Sequence, residues 1–92
     1  LRFVHDNLHR PLSVAEVARI VGISERQVTR LFRDFCGTSP AAYITQARMD
    51  RAASLLLRTD DPIKQVASLL GYTDVAHFSR VFSQTFGTPP AQ

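Results

Sequence analysis

The chain has one cysteine, no tryptophan, four glycines and no long apolar run. A single cysteine excludes an intrachain disulfide framework and a cysteine-rich zinc module, and suits a reducing compartment such as the cytoplasm. No apolar stretch approaches the roughly 18 residues of a membrane span. No segment sustains period-two alternation and no hairpin turn is present, so no strand is expected. Also missing are a glycine-rich phosphate loop, a nucleophile with its base, and paired buried carboxylates; the expectation is a protein that is not an enzyme and needs no cofactor. Disorder is excluded as well, because 45% of the residues are hydrophobic. Eleven Lys and Arg against eight Asp and Glu give a net charge of +3, which weakly favours an anionic partner. Ninety-two residues make one ordinary domain or two very small ones. Leu1 opens the chain inside a helical pattern, so a piece of a longer protein is expected.

What is present is helical throughout. Residues 1–9 place Leu1, Val4 and Leu8 on one stripe with Phe3 beside it, and Pro11 stops that helix. Ser13 and Glu16 have the spacing of a capping box, in which a hydroxyl and a side chain three residues on satisfy free N–H groups. The short helix they open carries Val14, Val17, Ala18 and Val21, and Gly22 ends it. Ser24 and Gln27 form a second box. The helix beyond them predicts a core stripe of Val28, Leu31, Phe32 and Phe35, with Cys36 as a small core residue and Gly37 as the stop. Ser39-Pro40 starts the longest pattern, running to about Arg58. Its apolar residues cover a broad arc, so it should touch material on more than one side. Thr59-Asp-Asp-Pro62 breaks it and caps a short helix bearing Ile63, Val66, Ala67 and Leu70, which Gly71 ends. A last helix carries Phe78, Val81, Phe82 and Thr85, and Gly87 stops it.

The chain repeats itself. Val17-Ala18 and Gly22 recur as Val66-Ala67 and Gly71 at an offset of 49. Arg30, Phe32, Gly37-Thr38 and Pro40-Ala41 recur as Arg80, Phe82, Gly87-Thr88 and Pro90-Ala91 at an offset of 50, with one residue inserted near 73–75. Each copy is a short helix, a glycine-containing turn and a longer helix, which is the helix-turn-helix pattern. The fold class expected is all-α: two helix-turn-helix subdomains, 1–38 and 59–92, joined by a long linker helix at 39–58, about seven helices or fewer. Helix 1–9 is expected to complete the first lobe.

The outer faces point towards DNA. On the first long helix Arg26, Arg30 and Arg33 lie opposite the apolar stripe, with Gln27 and Thr29 nearby and Glu25 and Asp34 tempering the charge. On the second, His77, Ser79, Arg80, Ser83 and Gln84 lie off the apolar stripe. Such side chains hydrogen-bond base edges and phosphates. Two such units on one face of B-DNA lie about 34 Å apart, and a helix of roughly 18 residues spans about 27 Å, enough to hold two lobes near that separation.

Three stretches carry a family resemblance: SVAEVARIVGISERQVTRLFRDFCG at 13–37, SPAAYITQARMDRAASLLL at 39–57, and IKQVASLLGYTDVAHFSRVFSQTFGTPP at 63–90. They resemble the DNA-binding domain of the AraC/XylS family of bacterial transcription regulators, over nearly the whole chain. The resemblance implies a bilobed domain whose second helices enter adjacent major-groove segments of one duplex. It assigns base contacts to Arg26, Thr29 and Arg30 in the first motif and to Val75, Ala76, His77, Ser79 and Arg80 in the second. Phosphate contacts fall to Ser24, Gln27, Arg33, Thr73 and Ser83. Val75 and Ala76 are too short and apolar for hydrogen bonding, so the second motif is expected to contribute less direct readout. The family often ends in a Tyr-Arg pair after the final proline, whereas this chain ends Ala91-Gln92. A sensor or dimerisation domain and contact with RNA polymerase are further implications for the full-length protein.

Two side issues remain at this level. His5 and His9 stand at i and i+4, a spacing that can ligate a metal, but no second ligand pair lies near them in sequence, and no metal is expected. The competing function is a protein-interaction module using the same helix faces; an enzyme that carries this domain as an appendage is a third.

Overall fold

The computed structural model describes residues 2–90, and the expectations for Leu1, Ala91 and Gln92 lie outside them. Six helices account for the regular structure: α1 (Arg2–Asp6), α2 (Val14–Val21), α3 (Glu25–Cys36), α4 (Pro40–Arg58), α5 (Ile63–Leu69) and α6 (Val75–Phe86). The described residues contain no strand. The molecule measures 41 × 22 × 22 Å, with a radius of gyration of 14.0 Å. A compact chain of this size has a radius near 12 Å, so the shape is elongated along its two lobes.

The caps follow local chemistry. Ser24 Oγ accepts the Gln27 N–H at 3.1 Å while Gln27 Oε1 accepts the Ser24 N–H at 3.1 Å, a complete capping box. Ser13 performs only half of its predicted box. Its hydroxyl accepts the Glu16 N–H, but the Glu16 carboxylate pairs with Arg10 at 2.7 Å instead of turning back. α1 is shorter than the 1–9 pattern. Asn7 Nδ2 donates to the Phe3 carbonyl at 2.7 Å, and the chain turns there, although Leu8 is still buried. Nor does the Thr59–Pro62 segment supply a side-chain cap for α5, since proline stands at the N-cap and its side chain has no acceptor to offer. Thr59 closes α4 instead, donating from Oγ1 to the Leu55 carbonyl at 2.8 Å.

Two cores lie along α4. The smaller holds Val17, Ala18, Val28 and Phe32, with Phe3, Val14, Ile23 and Tyr43 against it. The larger joins Val4 of α1 and Leu8 just beyond it, Ile44, Met49 and Ala52 of α4, Val66 of α5 with Leu70 at its C-cap, and Phe78 and Phe82 of α6. Tyr43 packs against both, which is the two-sided contact that the broad apolar arc of α4 predicts. α1 therefore does not complete the first lobe as expected. Only Phe3 reaches it, while Val4 and Leu8 go to the larger core.

Three predicted core residues of α3 are exposed: Leu31 at 44%, Phe35 at 82%, and Cys36. The smaller core takes only Val28 and Phe32 from α3; Leu31, Phe35 and Cys36 line an open apolar groove with Val17 and Val21 of α2. At the corresponding place in the second lobe, Phe86 lies against Phe82, with ring centroids 4.7 Å apart.

Candidate nucleic-acid interface

The first motif concentrates its cations. At 100° per residue, Arg26, Thr29, Arg30 and Arg33 fall within a sector of about 100°, turned away from Val28 and Phe32. All four side chains are exposed, and together with Asp34 they line one shallow groove. Glu25 lies at the N-terminal end of the same helix. Ser24 and Gln27 are exposed too, but both are engaged in the capping box.

The second motif is arranged differently. Asp74, not a hydroxyl residue, caps α6: its Oδ1 accepts the Ala76 N–H at 2.9 Å. Sequence reasoning assigned Asp74 no role, although an Asp just before an apolar-periodic run is a helix-start signal. Ala76, His77 and Arg80 are exposed on the outward sector, with Gln84 one turn beyond Arg80. Val75, 37% exposed, stands at the N-terminal lip of the helix. Ser79 and Ser83 are half-buried at the edge of that sector, and Thr73 is exposed just before the cap. The His77 ring meets Tyr72 edge-on with centroids 5.5 Å apart, which orients the imidazole. Burial pushes the Tyr72 phenol up from its ordinary pKa, and the Arg48 cation pulls against that.

The other candidates have ordinary partners. His5 shares a hydrogen bond with the Tyr43 hydroxyl at 3.0 Å. Among the described residues no group of three His, Cys, Asp or Glu stands close enough to hold a metal. Arg48 of α4 is committed internally. It donates to the Leu8 carbonyl at 3.2 Å and to the Arg10 carbonyl.

A helix-turn-helix domain family matches residues 17–92. An AraC-type DNA-binding domain protein from Chromobacterium violaceum superposes with a TM-score of 0.90 at 35% identity, covering 97% of this chain and 80% of that one. The chain belongs to the AraC-type helix-turn-helix family. As an AraC-type domain it is the DNA-binding kind of module found in transcription regulators. The DNA-binding domain of AdpA, solved in complex with a target DNA, matches with a TM-score of 0.90 at 25% identity, covering 97% of this chain and 80% of that one. The HTH-type transcriptional regulator GbdR of Pseudomonas aeruginosa is 39% identical over 84 residues, which is 91% of this chain and 23% of GbdR. The AraC-type domain thus spans about a quarter of that regulator's length. No helix among the described residues is long and apolar enough to cross a membrane.

Proposed function

We propose that this AraC-type domain is the sequence-reading output module of a longer cytoplasmic transcription regulator, with α3 and α6 entering successive major-groove segments of one duplex. One observation carries the reading: Arg26, Thr29, Arg30 and Arg33 share a single exposed groove on the face of α3 opposite its packing. In this reading Arg26, Thr29 and Arg30 meet base edges in the first segment. Val75, Ala76, His77, Ser79 and Arg80 meet them in the second. Arginine forks onto guanine O6 and N7, threonine and serine reach single acceptors, and Val75 and Ala76 suit thymine methyls. Arg33, Ser24, Gln27, Thr73 and Ser83 meet phosphates. The Gln27 carbonyl is spent on its cap, which leaves its amide donors for that role. Along the sequence the proposed units are 1–38, 39–58 and 59–92, with Val4 and Leu8 of the first packing into the larger core. A sensor or dimerisation domain elsewhere in the longer protein, and contact with RNA polymerase, belong to the same proposal.

The test is selection from a random duplex library with the purified domain at moderate salt. Two short blocks about one helical turn apart are expected. A single block would leave one lobe as the reader. No enrichment and no salt-dependent binding would sink the proposal.

A second reading, a protein-interaction module, is favoured by one feature. Val21, Leu31 and Phe35 line an open apolar groove together with Val17, Ile23 and Val28. By helical rotation Phe35 lies roughly opposite the arginine face, so a partner there leaves that face free. Association with a protein partner that Phe35→Ser abolishes, together with no DNA affinity at low salt, would bring this reading to first place.

A further inference from the structure

The two copies of the motif differ in charge at equivalent positions. An offset of 50 puts Ala76 where the first copy has Arg26, Arg80 where it has Arg30, and Ser83 where it has Arg33, while Val75 and Gln84 stand where it has Glu25 and Asp34. α3 thus has three cations to one on α6, and the two acids of α3 lie towards its ends. The caps differ in the same sense. At the N-cap itself α3 has the neutral hydroxyl of Ser24, with the Glu25 carboxylate following in its first turn but making no cap, whereas the carboxylate of Asp74 sits directly on the Ala76 N–H at the N-terminus of α6. A carboxylate at a helix N-terminus takes up the dipole interaction that a phosphate would enjoy there, and it repels a phosphate nearby. The rest of the second unit does not compensate. Residues 59–90 hold Lys64 and Arg80 against Asp60, Asp61 and Asp74.

We propose that the first lobe supplies the phosphate neutralisation that holds the domain on DNA, and that Asp74 makes α6 a reader docked with little ion exchange. Arg80 is its cationic contact, and Val75 and Ala76 its apolar ones. The proposal rests on the DNA-binding reading and adds a division of labour between the lobes. α4 makes the division workable. It is a 19-residue helix packed into both cores, so anchoring α3 presents α6 to the next groove segment at high effective concentration. A weakly attractive second lobe then samples bases without being held by the backbone, and its contribution favours sequence over mere DNA.

The experiment measures affinity over a salt series on a duplex selected with this domain and on a scrambled duplex. Wild type is measured first. Absence of salt-dependent binding would fail the DNA-binding reading itself. Given binding, Arg33→Ser is expected to flatten the slope of log K against log salt by about 0.9, the release of one phosphate contact. Asp74→Asn and Asp74→Ser keep an N-cap acceptor and lose the charge. Both are expected to tighten binding about two- to fivefold on the two duplexes alike, as removal of a sequence-independent repulsion should, with their affinity ratio unchanged. A gain of affinity cannot arise from misfolding. Unchanged or weaker binding by both Asp74 variants, or an unchanged slope for Arg33→Ser, would overturn the proposal while leaving DNA binding intact.

Discussion

Arg48 donates from Nε to the carbonyl oxygen of Leu8 at 3.2 Å, across forty residues of sequence. A second donor of the same guanidinium goes to the Arg10 carbonyl. One side chain of α4 thereby satisfies two backbone acceptors in the loop between α1 and α2, and sets how the first unit sits on the linker helix. Hydrogen bonds to a charged group contribute about 1.5–3 kcal/mol. Arg48→Ala is expected to lower stability by about that amount in denaturant unfolding. Arg48→Lys should recover only part of the loss, since an ammonium lacks the fork that spans both carbonyls. Full recovery by lysine would mean that charge, not geometry, is what the loop needs.

The same loop meets Gly71. A Cβ at that position would stand 3.0 Å from the His9 carbonyl oxygen, and the backbone has φ +85°. Gly22 has nearly the same φ, +84°, with nothing within 4 Å. Gly22→Ala is expected to cost about 1–2 kcal/mol, the left-handed penalty alone. Gly71→Ala should cost roughly 2–4 kcal/mol, because the loop must also give way. Equal melting temperatures for the two variants would show that the approach to His9 is slack.

Helical periodicity assigns Phe35 and Phe82 to the same kind of core stripe, yet Phe35 is 82% exposed and Phe82 6%. Phe82→Ala is expected to cost about 3–5 kcal/mol, and Phe35→Ser to stay within about 0.5 kcal/mol. Thermal unfolding of the two variants decides it. A large loss for Phe35→Ser would mean that something covers that flank in solution.

Glu16 is held below its ordinary carboxylate pKa of 4.5, first by the hydrogen bond from Arg10 and then by the charges of Arg10 and Arg19. A depressed folded-state pKa contributes stability that is fully present above 4.5 and is lost as pH falls through the lower folded value. Glu16→Gln should therefore melt slightly below wild type at neutral pH, and the gap should close on acidification. A gap that persists at the acid end would point to packing rather than charge.

Arg30 lies in the groove that also exposes Arg26, Thr29 and Arg33. Arg30→Ala is expected to cost about 1–3 kcal/mol on the selected duplex and to relax preference at one base position. Equal losses on selected and scrambled DNA would reassign Arg30 to the phosphate backbone.

The sequence by itself determined what local chemistry determines. Ser24 and Ser39 before their helices, Gly22 and Gly37 after them, and the 49–50 residue repeat locate two helix-turn-helix units and their outward arginines, because caps, turns and helical period act over a few residues. Tertiary structure decided which apolar residues find a partner and which polar ones are spent internally. Leu31 and Phe35 read as core but are bare, because the first lobe's core closes over Val28 and Phe32 and no other described segment packs on that flank of α3. Leu8 went to the larger core and Arg48 to the loop carbonyls, because α4 brings together segments some forty residues apart. Asp74 gains its weight only beside the exposed end of α6, where its carboxylate sits on the helix N-terminus. Periodicity can say which way a side chain turns from its own helix axis; what waits there depends on segments distant in sequence.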